Sequence, residues 1–196
     1  MKSNDDLISY YSARLADTGT PWGAADCGSE ASHRARLRAL ADVMLGDMRL
    51  KSVLDVGCGG GSFIDVLTPG TRYVGWDIVP EFIDTGARQE WPLIHSPTFQ
   101  VRDLYDSTEV EAFDYVVASG LFQFAPSVQL ERGVARMFAL CRKAVAFNFL
   151  TRTDGTPGEQ ATDPALVYHR CRMLTDRIVV RIDYLPNDAT MYLYRP

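Results

Sequence analysis

The chain has no lysine between Lys51 and Lys143, so nothing in that stretch can supply the Gly-Lys-Ser/Thr of a phosphate-binding P-loop. No run of lysine and arginine forms a stripe that could track a phosphate backbone, and the net charge is −5. Nucleic acid is therefore not an expected partner. The four cysteines, Cys27, Cys58, Cys141 and Cys171, stand far apart. With no C-x-x-C and no Cys/His ligand spacing they predict reduced thiols, with neither a disulfide framework nor a bound metal. No stretch reaches the length of a membrane span. The start, Met-Lys-Ser-Asn-Asp-Asp, lacks a basic segment followed by an apolar core, so a cytoplasmic protein without membrane contact is expected.

At 196 residues, 46% hydrophobic and 23% charged, the chain fits one globular domain with a single sheet covered by helices on both faces. Apolar runs near 52–56, 72–76, 98–101, 113–118 and 143–149 alternate with helical patterns near 61–68, 80–88 and 127–141. That alternation predicts a parallel sheet buried on both sides. Two β-rich runs close the chain, 177–183 and 190–194, joined by Leu-Pro-Asn-Asp. The join is too short for a helical crossover, so these two strands should pair antiparallel. Before the sheet, residues 4–16 and roughly 29–46 read as helices, the second capped by Ser29-Glu-Ala-Ser, with the turn-rich Thr-Gly-Thr-Pro-Trp-Gly between them. Residues 151–162 read as a polar Gly/Pro loop.

The most informative stretch is 53–63, Val-Leu-Asp-Val-Gly-Cys-Gly-Gly-Gly-Ser-Phe, where an apolar strand breaks into glycines. Asp55, Gly57, Gly59 and Gly61 fall on alternate positions, a pattern that lets backbone touch a ligand. Twenty residues after Gly57, Asp77 ends a second apolar run and can accept from a ribose diol. A dinucleotide fingerprint needs a third glycine at position 62, which is Ser62. An acid two residues before the first glycine, as at Asp55, suits a ligand with an amino group.

These motifs resemble those of class I S-adenosylmethionine-dependent methyltransferases, from about residue 50 to the end of the chain. The resemblance extends to Phe99-Gln-Val-Arg-Asp103-Leu104 as the third-strand motif, Phe113 to Gly120 as the fourth strand and Ala144 to Thr151 as the fifth. It implies a Rossmann-like, seven-stranded, mostly parallel α/β sheet with a C-terminal antiparallel hairpin and an N-terminal helical cap. Residues 1–48 would be that cap or lid and 49–196 the cofactor-binding core, in one structural domain overall. The implied cofactor is S-adenosyl-L-methionine, held by Asp55, Gly57, Gly59, Gly61, Asp77, Ile78, Asp103, Leu104 and Ser119.

A narrower resemblance, to small bacterial methyltransferases of biosynthetic clusters, rests on Tyr10-Tyr11, Arg14-Leu15, Trp22, Ser29-Glu30, Arg36-Leu37, Asn148, Asp163-Pro164 and Asp183-Tyr184. It implies Arg36 as the partner of the cofactor carboxylate. Tyr10, Trp22, Phe122 and Asn148 would then face a small-molecule acceptor.

The segment after the fourth strand, Ala-Ser-Gly-Leu-Phe-Gln-Phe, lacks the Asp/Asn-Pro-Pro-aromatic signature of amide and base N-methylation. It also lacks the acid that binds magnesium in catechol methyltransferases. The expected reaction is methyl transfer to oxygen or nitrogen of a small metabolite in specialised biosynthesis. Two rivals stand beside it: a cofactor-binding accessory protein of the same fold that transfers nothing, and an NAD or nucleotide-sugar enzyme on a similar sheet. Candidate bases are His169, in a segment that can fold over the pocket, and Tyr11. His33 sits on the second helix, on either a solvated face or the site, and His95 belongs to the far edge of the sheet.

Overall fold

The computed structural model describes residues 3–25, 28–106, 108, 111–153 and 155–196. Cys27 lies outside them; Cys58, Cys141 and Cys171 are buried free thiols.

Three helices precede the sheet. The first, α1 (Asn4–Thr18), starts in a capping box in which Ser3 and Asp6 satisfy each other's backbone N–H. It ends at Gly19 in the left-handed conformation. A single turn, α2 (Pro21–Ala24), occupies the expected connector. The next helix, α3 (Glu30–Ala41), is capped by Ser29, whose hydroxyl accepts the N–H of Ser32. It gives way to a 3-10 turn over Asp42–Met44, so the helix expected to 46 ends earlier.

The strands are β1 (Ser52–Val56), β2 (Arg72–Asp77), β3 (Thr98–Val101), β4 (Phe113–Ala118), β5 (Cys141–Leu150), β6 (Ile178–Arg181) and β7 (Asp188–Tyr194). They form one sheet in the order β3-β2-β1-β4-β5-β7-β6. All pairs from β3 to β5 are parallel, and β7 lies antiparallel between β5 and β6. The seven-stranded sheet with its closing antiparallel hairpin is the Rossmann-like architecture that the motifs imply. β6 forms one edge of the sheet, with Val179 and Val180 half-exposed and Arg181 bonded to Asp42 at 2.9 Å and Asp183 at 2.6 Å.

Alternation along the central strands builds a core on each face. Leu54, Val56, Val116, Val145 and Phe147 pack on one side with Val134, Met137 and Phe138 of α5 (Ser127–Leu140). Val53, Tyr73, Val117 and Ala146 pack on the other with Leu40, Met44 and Phe63. Every residue of β1 is buried, as a central parallel strand requires. The remaining helices are α4 (Pro80–Arg88), opened by proline, and α6 (Pro164–Cys171), capped by Asp163.

Two further expected features differ. The helix predicted over 61–68 is only a 3-10 run, Ser62–Val66, because only residues 67–71 separate it from β2. The last strand begins at Asp188 rather than Thr190, since Asp188 pairs with Leu150 of β5. No described helix is long and apolar enough to cross a membrane.

Candidate active site

The order of the strands reverses direction at β1, between β2 and β4, and in such sheets the ligand crevice lies beyond the carboxyl ends of the strands there. A cavity opens at that place. Its floor is the end of β1 and the glycine loop, from Asp55 through Gly60 with Ser62 and Phe63.

The loop is fixed to β2 by its own backbone. The N–H groups of Gly57 and Cys58 both donate to the carbonyl of Trp76, at 2.7 and 3.0 Å. One residue further, the N–H of Gly59 donates to Oδ2 of Asp77 at 2.8 Å, and Oδ1 of Asp77 accepts from Val79 N–H at 2.9 Å. Asp77 is 8% exposed and reaches the cavity. Burial pushes its carboxyl up to about 6, against the backbone donors of Val79, Gly59 and Ile78. Asp55 is buried more deeply, and its Oδ2 accepts the hydroxyl of Tyr73 at 2.8 Å. Burial raises that carboxyl to about 7, with the nearby charge of Asp77 adding to it.

Glycines in the loop serve different ends. At Gly59, φ is +53°, and a Cβ there would have no atom within 4 Å, so it would project into open cavity space. At Gly61 a Cβ would stand 2.8 Å from the ring of Phe99. Gly61 does not line the cavity. Its expected role as a ligand contact is therefore corrected: smallness at this position admits Phe99.

Asp103 lies just past β3, its Oδ1 accepting the N–H of Tyr105 at 2.8 Å and its Oδ2 the Nδ2 of Asn4 at 2.7 Å. Ile78, Leu104 and Ser119 line the cavity too. So the three carboxylates at the ends of β1, β2 and β3 converge, as the motifs imply. The opposite wall comes from the N-terminal helices: Leu7 and Tyr11 of α1, Trp22 of α2, and His33 and Leu37 one turn apart on α3. Tyr11 accepts from Nε2 of Gln123 at 2.7 Å. Burial lowers the basicity of His33, with the positive charge of Arg36 next in importance.

Five further expectations are not met. Arg36 turns away from the cavity and clamps the buried carboxylate of Asp188, Nη2 to Oδ2 at 2.7 Å and Nε to Oδ1 at 3.0 Å. An arginine committed to that carboxylate is not placed to serve a ligand carboxylate. His169 is exposed on α6, against Tyr168 and outside the cavity, so it cannot reach an acceptor as a base. Tyr10 packs edge-on against Tyr11 and Phe124 behind the wall. Phe122 is buried against Phe147 in the core. Asn148 is also buried, its Oδ1 accepting the N–H of Gly120 at 2.7 Å, so it supports the wall without lining it.

Sequence reasoning did not single out Arg102, Phe82 or Phe124, all of which line the cavity. Arg102 stands over the Trp76 ring at 4.8 Å. The available signal was its place beside Asp103, in a motif already read for its acid.

Residues 53–144 match the family model described as a methyltransferase domain (Methyltransf_25). Over that stretch the chain matches a methyltransferase domain, and S-adenosylmethionine is the cofactor such a domain uses. The fold of the chain is shared with magnesium protoporphyrin IX methyltransferase (ChlM) from Synechocystis PCC 6803 with bound SAM, at a TM-score of 0.73 and 14% identity over 100% of this chain and 98% of that one. The N-methyltransferase NodS from Bradyrhizobium japonicum WM9, in complex with S-adenosyl-l-homocysteine, gives 0.72 and 20% over 96% and 98%. The CurJ carbon methyltransferase gives 0.68 and 12% over 97% and 66%. At these identities the likeness of the methyltransferase domain to them is one of fold. A search of the curated proteins gives no match.

Proposed function

We propose that this methyltransferase moves the methyl group of S-adenosylmethionine to oxygen or nitrogen of a small metabolite, in specialised biosynthesis. The observation that carries the reading is the convergence of Asp55, Asp77 and Asp103 on one cavity floored by Gly57 and Gly59. The open space facing Gly59 fits a ligand lying against the loop backbone.

When bound, the cofactor supplies an electrophilic methyl group on a sulfonium that departs as a neutral thioether. Asp77 accepts from the ribose hydroxyls while bracing Gly59 with the same carboxylate. Asp103 and the backbone of Leu104 take the adenine end. Asp55 and the backbone of Ser119 and Gly120 take the amino-acid end, where an ammonium group offsets the carboxylate. The acceptor lies against the cap wall of Tyr11, Trp22, His33 and Leu37. These walls exclude water and hold the attacking atom in line, the main demand of the reaction. His33 takes over the role expected of His169: at neutral pH the imidazole is uncharged and lines the acceptor side, so it can receive the proton that a hydroxyl or amine gives up. A base of this kind suits a hydroxyl or an amine, whose proton leaves from the same atom that takes the methyl group.

The test is incubation with S-adenosylmethionine and panels of phenols, alcohols and amines, following S-adenosylhomocysteine and products heavier by one methyl group. Turnover with oxygen or nitrogen acceptors is expected. Cofactor binding without turnover on any panel would leave an accessory protein as the better reading.

A further inference from the structure

We infer that Arg36, Asp188 and Asn148 form a positioning device that holds the Ser119-Gly120 wall of the cofactor cavity. The inference rests on the proposed assignment of that wall to the amino-acid end of the cofactor. The chain of contacts is continuous. Arg36 of α3 clamps Asp188 at the start of β7 with three N–H···O contacts of 2.7 to 3.1 Å. Oδ1 of Asp188 accepts from Nδ2 of Asn148 at 3.2 Å, and Oδ1 of Asn148 accepts the N–H of Gly120 at 2.7 Å. The side chain of Asp188 is 2% exposed and that of Arg36 is 16% exposed.

The chemistry dictates the order. A carboxylate only accepts hydrogen bonds and a backbone N–H only donates. An amide placed between them has one orientation that satisfies both, with its NH2 toward Asp188 and its oxygen toward Gly120. Turning the amide over would set donor against donor and acceptor against acceptor, in a site where unmet polar groups are costly. The guanidinium supplies the charge that lets the carboxylate sit buried. Arg36 is thus removed from direct contact with the cofactor and reassigned to acting through Asn148. Because His33 and Leu37 share α3 with Arg36, the same clamp seats the helix that bears the acceptor wall.

The test compares two ligands that differ only at the amino-acid end: S-adenosylhomocysteine and 5′-methylthioadenosine. Calorimetry is run on the wild type, Asn148→Ala and Asp188→Asn, with folding checked by thermal melts. The expected result is a loss of about fivefold or more for S-adenosylhomocysteine in both variants, with 5′-methylthioadenosine within twofold of wild type. Equal losses for both ligands, or no loss for either, would overturn the device. If the wild type itself makes no distinction between the two ligands, the assignment of the wall fails instead. Amide exchange of Gly120 in the wild type needs no variant: slowed exchange in the absence of ligand is expected, and exchange at the rate of an open loop would also overturn the inference.

Discussion

Asp77 accepts the backbone N–H of Gly59 at 2.8 Å, so the acid at the end of β2 and the glycine loop after β1 are one structural unit. A change at either residue reaches the other. This coupling gives Asp77 a part in holding the loop besides the ribose contact proposed for it, and it shapes the first two expectations.

Asp77→Ala removes the proposed acceptor for the ribose and the brace of the loop together. Hydrogen bonds to charged groups contribute about 1.5–3 kcal/mol each. S-adenosylhomocysteine should bind at least tenfold more weakly by calorimetry, in a protein that still melts cooperatively. An unchanged dissociation constant would remove Asp77 from the site.

Gly59→Val places a branched side chain into the open space that the loop faces, at a φ of +53°. Binding should be lost altogether. A crystal of the variant with cofactor seated on the loop would show that the loop is not where the ligand lies.

Gly61→Ala behaves in the opposite way. Its Cβ would meet Phe99 at 2.8 Å and φ is +90°, so the cost falls on folding, about 1–3 kcal/mol by denaturant titration. Cofactor affinity of the folded protein should change little. A variant as stable as wild type would contradict the packing role.

The buried carboxyl of Asp55 is raised from 3.8 to about 7, so the native protein holds a proton that the unfolded chain releases. The associated stability is complete below about pH 3.8 and is lost as the pH rises through about 7. Asp55→Asn keeps an acceptor for Tyr73 and removes that loss. The ligand-free variant should be more stable than wild type by roughly 1–4 kcal/mol at pH 8, with the difference vanishing near pH 4. Binding changes in the reverse sense: cofactor affinity of the wild type should fall as the pH drops through 7 and 6, where Asp55 and Asp77 take up protons. Titrations of melting temperature and of affinity against pH check both.

The parts of the site that could be read from the sequence are those fixed by local backbone geometry. Asp55, Gly57, Gly59 and Asp77 end strands or make the tight turn after one, so their spacing carries their position. Asp103 and Ser119 follow for the same reason. Arg36, Asn148 and His169 were misplaced because their surroundings are set by distant chain. Whether a helix arginine meets a ligand or an aspartate 152 residues later depends on the register of β7 against β5, which no local pattern encodes. Gly61 looked like its neighbours in the alternating glycines, and only the ring of Phe99 from another strand distinguishes it. The helix expected over 61–68 failed on length, because the return to β2 comes too soon.

Arg181 sits in β6, where the sheet ends and, among the described residues, leaves a row of backbone groups without a strand beside them. Val179 and Val180 would make that rim attractive to a second chain seeking to extend the sheet. A cation planted in the strand and bonded to both Asp42 and Asp183 opposes such growth, since an added strand would have to displace or bury it. A charge held at this rim by two carboxylates is a feature that disfavours pairing with a further strand.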